Sequence, residues 1–164
     1  MGEVSSSILF NTPLETGLRS LVILEEIAPN TSDLQRLVYF DYLVVHSADI
    51  DGGPASLHAP VPHRSGEIIV RRKLVERGLN LMISRELAKR HFLNSGIAYG
   101  VTELTSPFLS HFQSQYFENL RSRAAWIANK FQNTSDDQLK SFVDGNLDKW
   151  GTEFSKQKNP GDLL

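Results

Sequence analysis

The chain has 164 residues, of which 22% are charged and 40% hydrophobic, with a formal net charge of −2. This composition is typical of a globular protein and allows one domain with a hydrophobic core. The absence of cysteine excludes disulfides and thiolate zinc sites, and no apolar run approaches the roughly 20 residues of a membrane span. The N-terminus lacks the cationic and apolar segments of an export signal. We therefore expect a cytoplasmic protein.

Two helices are predicted near the start of the chain. Thr12, Pro13 and Glu15 form a capping box with proline in the first helical turn. Ser32 and Gln35 form a second box, which opens a helix with apolar residues on most sides and therefore a central position. The short connection between the two helices predicts that they pack as neighbours.

The next elements are a third helix and a hairpin. The helix is predicted for residues 65–84, and Gly78 in its middle indicates a close crossing with another helix. Strands are predicted for residues 87–93 and 97–102, joined by a tight turn at Asn94, Ser95 and Gly96. Helices followed by a two-stranded ribbon predict a winged helix-turn-helix-like core, a module that binds nucleic acid or another protein.

The remaining segments complete a mainly α chain of the α+β class. Residues 47–64 are rich in glycine and proline, which predicts a long ordered loop within a winged-helix-like domain of residues 1–105. A C-terminal helical pair is predicted at 105–131 and 135–150, within a segment of residues 106–154. Residues 155–164 are predicted to be a flexible tail.

The charge is unevenly distributed along the chain. Eight basic residues against three acidic ones between Arg64 and Arg90 give this segment a charge of +5, so the remainder carries −7. The candidate binding residues are Arg64, Arg71, Arg72, Lys73, Arg77, Arg85, Lys89 and Arg90. A local positive patch suits phosphates or an acidic protein surface, and a solvated helix face is the third interpretation.

Candidate ligands and ion pairs lie around the long loop. His46, His58 and His63, with nearby aspartates, contain metal-ligating groups, but their spacing matches no metal motif, so local hydrogen bonding is the favoured interpretation. Asp41 lies inside an apolar helix, where an unpaired carboxylate would be costly. We expect an arginine to pair with it; the candidates are Arg36, Arg64, Arg71 and Arg72.

No catalytic motif is evident. Gly52 and Gly53 lack the lysine and following helix of a phosphate-binding loop, and a serine-nucleophile elbow is absent. We therefore predict that the chain is not an enzyme and needs no cofactor or metal.

The predicted fourth helix has a stripe of aromatic and aliphatic residues at helical spacing. Such a stripe is most often core, and a groove for a partner is the alternative. Trp126 and Trp150 are candidate interface anchors, since tryptophan is enriched in binding hot spots.

Several sequence blocks together resemble the middle component of ABC-three-component bacterial antiphage defence systems, which include the Lamassu group. These blocks are residues 9–19, 33–39, 41–42, 45–47, 62–67, 70–72 and 123–126. The resemblance implies an SMC/ABC-like ATPase partner that senses DNA, a nuclease effector subunit, and a non-enzymatic adaptor between them. It also implies contact or scaffold roles for Arg36, Asp41, His46, His63, Arg64, Arg71 and Arg72.

Two functional hypotheses follow. The first is the adaptor subunit of an obligate complex, whose basic face contacts the phosphates of double-stranded DNA or an acidic patch on a partner. The second is a free winged-helix transcriptional regulator, which would dimerise and read bases through its third helix. Gly78 at the centre of that helix and its few base-reading amides count against the regulator.

Overall fold

The computed structural model describes residues 11–60 and 64–158, with side-chain placement for all of these except 64, 65, 148 and 151–158. Six α-helices and one two-stranded antiparallel sheet lie in these ranges. In chain order they are α1 (Pro13–Ile27), α2 (Leu34–Val45), α3 (Arg64–Ser84), β1 (Ala88–Leu93), β2 (Gly96–Val101), α4 (Thr105–Leu109), α5 (Gln115–Phe131) and α6 (Asp136–Lys158). The predicted α+β class with a small wing is confirmed.

The first helix begins as predicted and the second does not. Thr12 Oγ1 accepts the backbone N–H of Glu15 at 3.2 Å, and Pro13 opens α1. The predicted Ser32 cap of α2 is wrong, because Asp33 caps the helix and accepts the N–H of Arg36 at 2.7 Å. The backbone of Ser32 is occupied elsewhere: it exchanges two hydrogen bonds with Tyr99 of β2, at 3.0 and 2.7 Å.

Helices α1 and α3 cross where two glycines meet. A Cβ atom on Gly78 would lie 2.6 Å from the backbone N of Gly17 and 2.8 Å from the carbonyl oxygen of Pro13. Such a distance is incompatible with a methyl group, so the pair lets the two helix backbones approach closely. The predicted crossing at Gly78 is confirmed. As a result α1 is central, and all of residues 16–24 are buried.

The hairpin has the predicted order and turn. Its register runs from Ala88 opposite Val101 to Leu93 opposite Gly96, so only two residues form the connection. Gly96 has a φ of +128°, a conformation that favours glycine. The bridge between Ser32 and Tyr99 attaches β2 to the segment before α2.

The C-terminal part contains one more break than predicted. The single helix expected for residues 105–131 is wrong, since α4 ends at Leu109 and α5 starts at Gln115. Ser114 caps α5 by accepting the N–H of Phe117 at 3.2 Å. Arg121 then reaches back from α5 and donates to the carbonyl oxygens of Leu109 and Phe112, at 2.6 and 2.9 Å. These bonds satisfy backbone carbonyl groups that have no helical N–H partner because the helix is interrupted.

The last helix, α6, continues to Lys158, beyond the predicted end at residue 150. Residues 155–158 of the predicted tail are therefore helical, and residues 159–164 lie outside the described residues. One hydrophobic cluster contains side chains of α1, α2, α3, α5 and α6.

The long loop is ordered by contacts with α2 and α5. The backbone N–H groups of Leu57 and His58 both donate to the carbonyl oxygen of Val45 at 3.0 Å. Arg123 of α5 donates to the carbonyl oxygen of Ala55 at 3.1 Å. The loop, as far as residue 60, therefore lies over the end of α2. Across the described ranges, no helix has the length and apolarity that crossing a bilayer requires.

Candidate functional site

A buried charge network, formed by Arg19, Asp41, Arg71, Glu67 and His46, joins α1, α2 and α3. Asp41 is fully buried, and its Oδ1 accepts from Arg19 Nε at 2.9 Å, while its Oδ2 accepts from Arg19 Nη2 at 3.2 Å. Arg71 Nη1, on α3, donates to the same Oδ2. Arg19 and Arg71 are 1% and 2% exposed, so one carboxylate opposes two buried cations.

Glu67 and His46 extend the buried charge network toward the end of α2. Glu67 lies one turn before Arg71 on α3 and accepts from Arg71 Nη2. His46 Nε2 is 3.4 Å from the same Glu67 oxygen. With Asp41 and Glu67 both present, two carboxylates balance Arg19 and Arg71. This charge balance is what buried ions require.

The pKa values of the carboxyl groups follow from this balance. Burial acts to raise the pKa of Asp41, but the Arg19 and Arg71 guanidinium groups outweigh it and lower the pKa. Burial likewise acts to raise the pKa of Glu67, whereas the hydrogen bond with His46 and the charge of Arg71 lower it to about 2. Both carboxylates are therefore ionised at neutral pH.

His58 and Tyr116 lie beside the buried charge network. His58 Nε2 is 2.9 Å from the hydroxyl of Tyr116, and the two rings are stacked. Burial, together with the positive charges of Arg19 and Arg71, lowers the pKa of His58 to about 3. The imidazole is therefore neutral at physiological pH and takes part in packing the loop against α5.

The buried charge network acts as a structural cross-link. Its charged atoms are turned toward one another, and each pair connects different helices or successive turns of α3. Within the described part of the chain no group of three or more His, Asp or Glu side chains has an arrangement that could hold a metal ion. His63 of the predicted histidine set lies outside the described residues.

The predicted partners of Asp41 need correction. Arg71 pairs with Asp41 as expected and links α2 to α3. Arg36 does not pair with it: Arg36 donates to the carbonyl oxygens of Phe131 and Thr134, at 2.8 and 3.0 Å, and to Asp136 at 3.0 Å. Arg36 therefore ties α2 to the connection between α5 and α6. Arg72 bonds Gln35, and the side chain of Arg64 lies outside the described residues.

Of the eight candidate binding residues, six are exposed, Arg71 is buried, and the side chain of Arg64 lies outside the described residues. We define the basic surface as the exposed cations of α3, β1 and the turn between them: Arg72, Lys73, Arg77, Arg85, Lys89 and Arg90. Arg90 joins the two elements by donating to Asn80 of α3 at 2.5 Å. Arg71 was expected to be on this surface, but it is buried because Asp41 and Glu67 require its charge inside.

The two tryptophans have different surroundings. Trp150 is 1% exposed and stacks on Tyr42 with 5.8 Å between ring centroids, so its side chain packs in the core, and Trp126 is the more accessible of the two predicted anchors. Trp126 is half-buried on α5 and has Lys130 Nζ 5.5 Å from its ring centroid. The apolar stripe of α5, from Phe117 to Phe131, is core as expected.

Arg19, a central member of the buried charge network, was missed by the sequence analysis. A signal for it existed. Among residues 16–24 Arg19 is the one charged residue, and among residues 37–45 Asp41 is the one charged residue. Two single charges of opposite sign, each in an apolar stretch of neighbouring helices, predict an ion pair.

The fold and these charged groups define a class of protein: a small α+β protein with a two-stranded wing, a self-paired charged interior and an exposed basic surface. A family model described as ABC-three component (ABC-3C) system Middle Component 2 matches residues 9–153. Since the match covers most of the sequence, the chain belongs to this family. Neither the curated proteins nor the solved structures that were compared yield a match. The predicted resemblance is confirmed for the ABC-3C middle component.

Proposed function

We propose that this chain is a non-catalytic adaptor in the cytoplasm. It bridges an SMC/ABC-type DNA-sensing ATPase and a toxic effector, a nuclease, in a Lamassu-type antiphage system. Family membership supports this proposal, since a middle component of a three-component system implies partner subunits. The winged-helix-like order of three helices and a hairpin also supports a binding role.

The basic surface is the observation that carries the proposal. Lys73, Arg77, Arg85 and Lys89 are exposed and form no ion pair with any described carboxylate. Arg72 and Arg90 bond only neutral amides, those of Gln35 and Asn80, among the described residues. Six cations that the fold does not neutralise produce a local positive potential, which attracts an anionic partner.

Two anionic partners are compatible with the basic surface within such a complex. One is the phosphate backbone of double-stranded DNA held by the ATPase, where each contact would be strongly salt-dependent. The other is an acidic face of a partner subunit. With either partner the chain lies between larger molecules. Removal of DNA would abolish the contact with phosphates but leave a contact with an acidic protein surface intact.

The test is charge reversal on the basic surface. The triple variant Arg72→Glu, Lys73→Glu, Arg77→Glu should lose phage protection and co-purification with the proteins encoded beside it. Arg71 is left intact because it is buried, and its reversal would report on stability. The measurements are plaque counts with the complete system and size-exclusion chromatography of the co-produced proteins, with and without nuclease treatment.

The matched control is Lys130→Glu, Lys140→Glu, Lys149→Glu, which changes net charge equally at exposed positions of α5 and α6. We expect this control to retain protection and assembly, and both triple variants to keep the wild-type circular dichroism spectrum. Retention of both functions by the Arg72, Lys73 and Arg77 variant would contradict the proposal. An isolated chain that dimerises and binds one short duplex would favour a transcriptional regulator instead.

A further inference from the structure

The end of the hairpin is apolar and exposed. We define the apolar hairpin tip as Phe92, Leu93 and Ile97, residues that are 80%, 51% and 46% exposed. Phe92 lies directly opposite Ile97 in the hairpin register, so these two side chains form a cross-strand pair on one face. Leu93 occupies the other face of β1, next to the turn. A single exposed apolar residue is ordinary, but three together at a tip indicate a binding surface.

The apolar hairpin tip stands on a fixed base. The two backbone hydrogen bonds between Ser32 and Tyr99 attach β2 to the body. Thr102 Oγ1 donates to the carbonyl oxygen of Glu86 at 2.7 Å, and Thr105 Oγ1 donates to that of Leu87 at 2.8 Å. These contacts hold the open end of the hairpin in place. The tip is therefore presented in one orientation before any partner arrives, which reduces the entropy lost on binding.

The charges beside the tip indicate the chemistry of its partner. Residues 88–101 contain Lys89 and Arg90 and no acidic residue, whereas Arg85, Glu86 and Glu103 flank the hairpin at its base, away from the tip. A second copy of this chain bound through the same hairpin would bring these cations together, and like charges disfavour that contact. DNA would suit the cations, but beyond single thymine methyl groups it offers large apolar side chains a surface to pack on only where bases are unstacked. An apolar groove with an acidic rim on a protein satisfies both the cations and the tip.

We propose that the apolar hairpin tip inserts into an apolar, acid-rimmed groove of a partner subunit. This inference rests on the adaptor function proposed above and assigns the protein–protein contact to a specific element. Phe92 and Ile97 enter the groove, and Lys89 and Arg90 meet the carboxylates of its rim. The remaining cations of the basic surface, on α3, stay available for a second anionic partner.

The test compares hairpin variants in pairwise binding assays. Purified chain is titrated against the ATPase subunit and the effector subunit encoded beside it, each alone, at low and high salt. The double variant Phe92→Thr, Ile97→Thr should bind its partner about tenfold more weakly, or worse, at both salt concentrations, because central apolar anchors dominate interface affinity. Lys89→Glu, Arg90→Glu should weaken binding mainly at low salt, where charges are least screened.

The matched control is Leu14→Thr, which removes an apolar side chain 54% exposed on α1. It should bind like wild type. Threonine keeps a high strand propensity, and the replaced side chains are exposed, so the double variant should unfold at the wild-type temperature. A photo-crosslinking amino acid at position 92 gives a second measurement. It should crosslink to one partner subunit at apolar residues flanked by Asp or Glu.

The outcomes separate the two proposals. If the wild-type chain binds neither subunit, the adaptor function itself fails. If wild type binds and the Phe92, Ile97 variant binds equally tightly, the adaptor function stands and the assignment to the hairpin fails. A crosslink from position 92 to a second copy of the chain, or to DNA, would also contradict the assignment.

Discussion

Asp41 is the residue whose charge the interior most depends on. Asp41→Asn keeps the shape of the side chain but removes the negative charge between Arg19 and Arg71, both of which are almost fully buried. We expect it to lower the free energy of unfolding by about 3–5 kcal/mol, because breaking a buried pair leaves uncompensated charge inside. Urea denaturation at neutral pH measures this loss.

The control for Asp41 is a carboxylate in an exposed ion pair. Glu118 is 58% exposed and bonds Arg121 at 3.0 Å. Glu118→Gln should change the free energy of unfolding by less than about 1 kcal/mol, since solvent screens such a pair. If Asp41→Asn lowered the free energy of unfolding as little as Glu118→Gln does, water would have to reach the buried charge network and screen its charges.

His58 makes stability depend on pH. The pKa of His58 is about 3 in the folded chain, against an ordinary value of 6.5. The unfolded chain therefore takes up the proton first as the pH falls, and the stabilisation present above pH 6.5 is progressively lost below it. Wild type should denature at a lower urea concentration at about pH 5 than at neutral pH. His58→Gln should reduce this difference.

At about pH 5, the effect of His58 on stability can be measured apart from that of the carboxyl groups. Glu67 has an ordinary pKa of 4.5 and a folded pKa of about 2, so the stability it contributes is lost only at lower pH. His111→Gln is the matched control, because His111 is exposed; it should keep the wild-type difference. An unchanged difference in His58→Gln would show that His58 is not the responsible group.

At the scale of elements, the contact between α1 and α3 depends on the absence of side-chain atoms at Gly17 and Gly78. Gly78→Ala improves helix propensity but inserts a Cβ atom 2.6 Å from a backbone nitrogen. We expect a net loss of about 1–3 kcal/mol in the free energy of unfolding, as for other overpacked contacts. Thermal or urea denaturation measures it.

Gly145 in α6 supplies the matched comparison. A Cβ atom there meets no atom within 4 Å, so Gly145→Ala should raise the free energy of unfolding by about 0.5–1 kcal/mol through helix propensity. Opposite signs for the two alanine substitutions would establish the helix crossing. A gain in stability from Gly78→Ala would contradict it.

At the scale of the whole molecule, some cations are buried and paired, whereas others are exposed on the surface. The arginines of the interior are balanced by Asp41 and Glu67, whereas the basic surface is left without described ionic partners. Charge reversal at Arg72, Lys73 and Arg77 should therefore affect partners and leave folding unchanged. If DNA phosphates are the partner, losing three cationic contacts should reduce the slope of log K against log salt concentration by about 3.

The hairpin adds apolar contact area to this electrostatic arrangement. Cations on α3 and an apolar pair at the hairpin tip are different kinds of binding group, so their contributions respond differently to salt. The Arg72, Lys73 and Arg77 variant and the Phe92, Ile97 variant can therefore be distinguished in the same assay. If the adaptor makes two separate contacts, each variant should weaken binding by the same factor whether or not the other substitutions are present.

Features encoded by neighbouring residues could be predicted from the sequence. The Thr12–Pro13 start of α1 and the two-residue turn before Gly96 depend on local backbone chemistry. The crossing at Gly78 also follows locally, because glycine in a helix is costly without a close contact. The local predictions failed at the Ser32 cap and at the break between α4 and α5, where Tyr99 and Arg121 supply hydrogen bonds from a distance.

The sequence by itself thus determined the order of helices and hairpin, the positive charge of the α3 segment and the family resemblance. Only the tertiary structure decided which cations are inside. Arg19 and Asp41 are 22 residues apart, and Asp41 and Arg71 are 30 apart, so their pairing depends on the packing of three helices. Neighbouring residues determine where each helix forms, whereas the cost of burying a charge depends on every element that surrounds it.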